Sequence, residues 1–237
     1  MSDQSPSKSF LARGQQLMRL QGHILSKMQS DVETERRTFP TEIQTTKDVD
    51  SLVAAVPPAL ARSEERWADI PLMLQLFHAR HVDNFQSFLE ELLRLILSAQ
   101  PNLLKRADPV SMKDVLSHST MEDFIQGAID GKLHGWGYKS IRDLDKAVFE
   151  FTEFKLFPKE KDALLVERLY DDRNLFTHNY GIVNQLYLRK HPDCKTPKGQ
   201  PLKVDLSEIK AAWECLIKAS GDIETRAKAK FRLVLSV

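Results

Sequence analysis

The apolar side chains Val82, Phe85, Leu89, Leu92 and Ile96 recur at intervals of three, four, three and four residues. That spacing gathers side chains on one face of an α-helix. The pattern predicts a helix from about Glu64 to Ala99, and Pro101 stands where such a helix must already have ended. A stripe this long and this apolar needs other helices to cover it, so this element commits the chain to a helical core.

Further helix signals follow. Ser111 to Asp114 and Ser140 to Asp143 each place a small hydroxyl at a cap and an acid three residues later. Lys159 to about His178 reads as a helix behind Pro158. Asp205 and Glu208 form a capping-box-like start for a last helix with the face Leu206, Ile209, Trp213, Leu216, Ile223, Ala227 and Phe231. Upstream, Phe10 to about Val32 carries a ragged apolar face after a polar, frayed start. Thr34 to Asp50 is polar around Pro40, and Ser51 to Ala61, broken by Pro57 and Pro58, reads as a packed linker. Strand signals are weak: Leu186 to Leu188 and Leu202 to Val204 can pair as a short hairpin, and Phe231 to Val237 is ambiguous. Gly135-Trp136-Gly137 reads as a loop. The expected fold is an all-α bundle over residues 64–237, preceded by an N-terminal extension of helix and linker over residues 1–63.

Composition removes several classes of function. Thirty-four Lys and Arg against 33 Asp and Glu leave a formal charge of +1, so any nucleic-acid affinity must come from a local patch. Two cysteines, Cys194 and Cys215, are too few for a disulfide framework and fit a reducing compartment. No glycine-rich phosphate loop occurs. No apolar run approaches the ~18 residues that span a bilayer, and the start lacks the basic and apolar regions of a signal peptide. A cytoplasmic protein with no membrane partner is expected.

The segment that carries chemistry is Asp171 to Asn184, DDRNLFTHNYGIVN. Arg173 precedes His178 by five positions, with Asn174 and Asn179 beside them, and Gly181 can end the helix in a left-handed conformation. On a helix Asn174 and His178 share a face, while Arg173 lies roughly 140° from His178. The set suits phosphodiester cleavage. A histidine can take or give a proton near neutral pH, and an arginine offers a permanently charged fork to a phosphate and to the charge that grows on it. Asn174 and Asn179 can orient the imidazole or donate to a phosphate oxygen. By spacing alone the pattern is one that chance often supplies, and a helix-end Arg on a surface carboxylate with a His capping the last carbonyls is the favoured reading.

The stretch Arg173 to Asn184, RNLFTHNYGIVN, resembles the signature segment of the HEPN superfamily, and most of all its RiboL-PSP-HEPN branch. Leu72 to Leu104 resembles that branch's first long helix. Tyr187-Leu188 with Gly199 to Leu202 resembles the stretch after the motif, and the Asp205 helix the closing one. The resemblance covers about residues 64–231 and leaves the first sixty outside. It implies a helical domain acting as a metal-independent endoribonuclease without a cofactor, as a homodimer that brings two motifs into one cleft. His178 would act on the 2′-hydroxyl or the leaving oxygen and Arg173 on the phosphorane-like charge, with Asn174 at the polar position after the Arg. Products would carry 2′,3′-cyclic phosphate and 5′-hydroxyl ends. The resemblance also implies a toxin–antitoxin or phage-defence setting with a possible inhibitor protein. Other members have lost cleavage and bind nucleotides, RNA or protein.

Three further groups have two readings each. Arg189, Lys190, His191, Lys195, Lys198 and Lys203 form a basic stretch that either folds beside the helix end to hold RNA or stays a solvated loop. Tyr180 and Tyr187 can stack on unpaired bases or pack between helices. His78 and His81 sit one turn apart, but no third ligand completes a metal site and a polar helix flank suffices. Asp83 and Glu90, on the same helix, are candidates to orient His178, and Trp67, Trp136 and Trp213 are expected to pack.

Overall fold

A computed structural model describes residues 5–37, 58–106 and 111–233. The architecture is all-α. Its elements are α1 (Pro6–Arg37), α2 (Pro58–Ala99), a 3-10 turn (Pro101–Arg106), α3 (Met112–Leu116), α4 (Met121–Gly137), α5 (Ile141–Thr152), α6 (Glu160–His178), α7 (Gln185–Lys190) and α8 (Leu206–Phe231). Among the described residues the only β pairing is an isolated antiparallel bridge between Ile182 and Pro201.

The helix α2 is the hub, packed against α1, α4, α6 and α8. Val82, Phe85, Leu89, Leu92 and Ile96 are all buried, so the stripe read from the sequence is the core. Fully burying each such side chain is worth about 1.5–3 kcal/mol. Pro58 occupies the first position of α2, where a missing N–H costs no hydrogen bond. Residues 58–61 are thus helix and not linker, whereas the rest of the expected linker and most of the polar stretch before it lie outside the described residues.

The helix α1 joins the same core. Phe10 is fully buried against Phe85, Phe88 and Trp213, and the Asn84 amide donates to the Phe10 carbonyl at 2.9 Å. Gly14 lets α1 approach α8 closely, because a Cβ there would lie 1.9 Å from the Trp213 ring. From Ser5 to residue nine the expected fraying is absent: Ser5 is buried and gives its hydroxyl to Glu224, while residues 1–4 lie outside the described residues. A boundary at residue 63 falls inside α2.

Local signals account for the other starts. Thr120, Ser140 and Asp205 each accept a backbone N–H from three residues on, and Asp205 with Glu208 completes a capping box. Two further expectations fail. Gly135-Trp136-Gly137 is the last turn of α4, with Trp136 buried under α5. Leu186 to Leu188 lies in α7, whose N-cap Asn184 accepts the Tyr187 N–H at 2.9 Å, so no hairpin forms there. Trp213 packs as expected; the side chain of Trp67 and residues 234–237 lie outside the description.

Candidate functional site

The motif occupies the C-terminal half of α6. Glu160 and Asp162 in the first turn match the positive end of the helix dipole, and His178 lies in the last turn. Ala163, Val166 and Leu175 face inward, which turns Arg173 toward α2. Past His178 the chain leaves abruptly. The N–H groups of Asn179 and Gly181 both donate to the Leu175 carbonyl at 3.0 Å, with Tyr180 at φ 53° and Gly181 at φ 72°. At Gly181 the sequence permits what the turn requires, since a Cβ would also meet the Gln75 amide at 2.7 Å. Gln75 in turn donates to the Leu202 carbonyl at 3.0 Å, and Val183 exchanges backbone bonds with Gly199 and Gln200.

Arg173 is fixed at two points. Its Nε donates to Asp83 Oδ1 at 2.7 Å, and its Nη1 donates to Asn174 Oδ1 at 3.0 Å. Both charges are roughly three-quarters buried, which strengthens the pair beyond a surface contact. Asp83 therefore positions the arginine and not the imidazole, and Glu90 pairs with Arg94 at 3.6 Å. His178 is exposed; among the described residues no hydrogen bond or ion pair holds its ring. Asn179 is taken up by the turn, its amide donating to the Ile182 carbonyl. Tyr180 is 92% exposed.

Downstream, α7 docks on the outer side of α6. Asp172 accepts from the Tyr187 hydroxyl and from Arg168 Nε at 3.2 Å, and the Arg168 guanidinium lies 5.2 Å from the centre of the Tyr187 ring. Burial pushes the Asp172 carboxyl above its ordinary value, a rise restrained by the Tyr187 hydroxyl and the Arg168 charge. Tyr187 is thus a buried packing residue. Asp171 accepts from Lys190 Nζ at 2.8 Å, which neutralises that cation, and lies 3.0 Å from His191 Nε2, whereas Arg189, Lys195, Lys198 and Lys203 remain exposed.

Arg173 and Asn174 line an open polar cleft of about 420 Å³ between α6 and the α4–α5 turn, with Tyr138, Lys139, Tyr170 and Lys190 also on its wall. His178 does not line it. Nothing in the sequence pointed to Tyr138 or Lys139, and the link from Asp83 to Arg173 spans 90 positions.

His78 and His81 are core residues and not a polar flank. His78 packs edge-on to Phe176 and His81 over Trp213, and both ring nitrogens of His81 lack a partner among the described residues. Burial lowers both side chains to about 4, with the charge of His78 adding to the effect on His81. No group of three or more His, Cys, Asp or Glu suited to a metal ion gathers among the described residues, and no helix there is long and apolar enough to cross a membrane. Comparison with protein-family models, curated proteins and solved structures returns no match to this chain.

Proposed function

We propose that the chain is a metal-independent endoribonuclease of HEPN type, acting in the cytoplasm as a homodimer and leaving 2′,3′-cyclic phosphate and 5′-hydroxyl ends. The observation that supports this best is the pairing of Arg173 and Asn174 on the wall of an open polar cleft, with the guanidinium pinned by Asp83. A fixed guanidinium beside open space is preorganised for a phosphate and loses little on binding it. His178, exposed at the end of the same helix, is free to exchange a proton with a substrate oxygen. Five residues of helix separate the two by about 7.5 Å along the axis and about 140° around it. That offset suits a site assembled from two copies of α6, in which one imidazole serves as base and the other as acid. A toxin or defence role, with an inhibitor protein as partner, follows from the same resemblance.

The test is direct. Wild type and His178→Ala are incubated with total RNA in EDTA and the product ends are analysed. Cyclic-phosphate fragments from wild type alone support the reading, and equal rates from both proteins exclude His178 from the chemistry.

A binding-only module is the second reading. One observation favours it: Asp83 already neutralises much of the Arg173 charge that a cleaving site would direct at the phosphate. RNA affinity without turnover, unchanged in His178→Ala, would select it.

A further inference from the structure

The cleft beside Arg173 has a second wall that the motif does not supply. It is the α4–α5 turn, where Tyr138 and Lys139 follow one another. Tyr138 is 80% exposed, yet its ring is held edge-on to His134 at a centroid distance of 5.0 Å. An aromatic ring fixed in place but uncovered is what stacking on an unpaired base requires. Lys139 is exposed and has no ion pair among the described residues. The carboxylates around the cleft are engaged elsewhere: Glu167 with Arg142 at 2.5 Å, and Asp171 with Lys190 and His191. On the same wall the Tyr170 hydroxyl is buried without a hydrogen-bond partner among the described residues. The exposed cations after the motif, Arg189, Lys195 and Lys198, do not line this cleft.

We propose that the α4–α5 turn is the substrate-holding lip of the Arg173 site: single-stranded RNA lies along the cleft, with one base stacked on Tyr138 and a neighbouring phosphate on the Lys139 ammonium. This inference rests on the ribonuclease reading and names how its substrate is held. Strand selectivity follows from the stacking, because a paired base keeps its faces inside the duplex.

The test uses the full chain carrying His178→Ala, so that RNA is bound without turnover. Anisotropy of a labelled single-stranded RNA of mixed sequence is measured with Tyr138→Ala, Lys139→Gln and, as a control for lost surface charge, Lys210→Gln on α8. Tyr138→Ala is expected to weaken binding by about tenfold. Lys139→Gln should weaken it less and reduce the slope of log affinity against log salt by about 0.7. In the background that retains His178, both substitutions raise KM for cleavage with little change in kcat. Tight RNA binding unaffected by either substitution overturns the lip and leaves the ribonuclease reading standing. A wild type that neither binds nor cleaves RNA overturns that reading, and the lip with it. A loss with Lys210→Gln equal to that with Lys139→Gln also overturns the lip.

Discussion

The Asp83 carboxylate takes the Nε–H of Arg173 at 2.7 Å and so ties the motif helix to α2, the hub of the helix packing. Two guanidinium nitrogens, Nε and Nη1, are committed to Asp83 and Asn174, and Nη2 has no hydrogen-bond partner among the described residues. Asp83→Asn keeps the shape and removes the charge that orients the arginine. On the proposed ribonuclease reading, cleavage should fall about tenfold or more, because small displacements of a group that binds phosphate are costly to rate. Stability should fall by about 1–3 kcal/mol, because the partly buried guanidinium loses its charged partner. Initial rates and thermal melts on the same preparation check both halves, and an undiminished rate would remove Asp83 from the mechanism.

Acid should destabilise the fold through His78 and His81. Burial holds both near 4 in the folded chain, against an ordinary 6.5. Between those values the unfolded chain binds more protons, so stability is complete above about pH 6.5 and declines as pH falls toward 4. The loss is at most roughly 3 kcal/mol per histidine. His81→Leu should flatten the profile and raise stability at neutral pH, since it removes two unpaired buried nitrogens. Urea unfolding at a series of pH values measures this, and an unchanged profile would reject it.

Gly14→Ala tests the seat of α1. Alanine favours helix over glycine by up to about 1 kcal/mol, but its methyl would lie 1.9 Å from a Trp213 ring already enclosed by Phe10 and His81. Overpacking of this kind costs about 1–3 kcal/mol, so net destabilisation is expected. The solvent-exposed Gly22 on the same helix, where nothing lies within 4 Å, should show the opposite sign on substitution by alanine. Denaturant midpoints of the two variants decide it.

Tyr180 holds a left-handed backbone at φ 53° with an almost wholly exposed side chain. Tyr180→Gly should therefore stabilise the chain by up to about 1 kcal/mol, because strain is relieved and little packing is lost. Should the ring stack on RNA, affinity falls in the same variant while the melting temperature rises. A lower melting temperature would mean that the ring packs.

The long helix, its core stripe and the Asp205 cap were legible because each is a local pattern that packing then reinforces. The helix α4 was not, since Gly127, Gly131, Gly135 and Gly137 depress its intrinsic preference. Burial of Ile129, Leu133 and Trp136 overrides that preference, and the Thr120 cap with Asp123 was the local signal available. For α7, a run of three apolar residues does not separate strand from helix, and the Asn184 cap decided the outcome. At the site the pattern gave Arg173, Asn174 and His178 as candidates. The partner of Arg173, the neutralised Lys190 and the opposite wall of the cleft depend on contacts between distant segments, which periodicity does not carry.

The backbone bonds joining Val183 to Gly199 and Gln200 make the intervening excursion leave and return at one point. A protease cut among the exposed residues near Lys195 would leave both new ends anchored, the first through α7 on α6 and the second at that junction. Insertions there lengthen a closed loop whose entropy grows only slowly with size. Descendants of this chain are thus free to vary that loop in length and sequence without moving the end of the helix that bears His178.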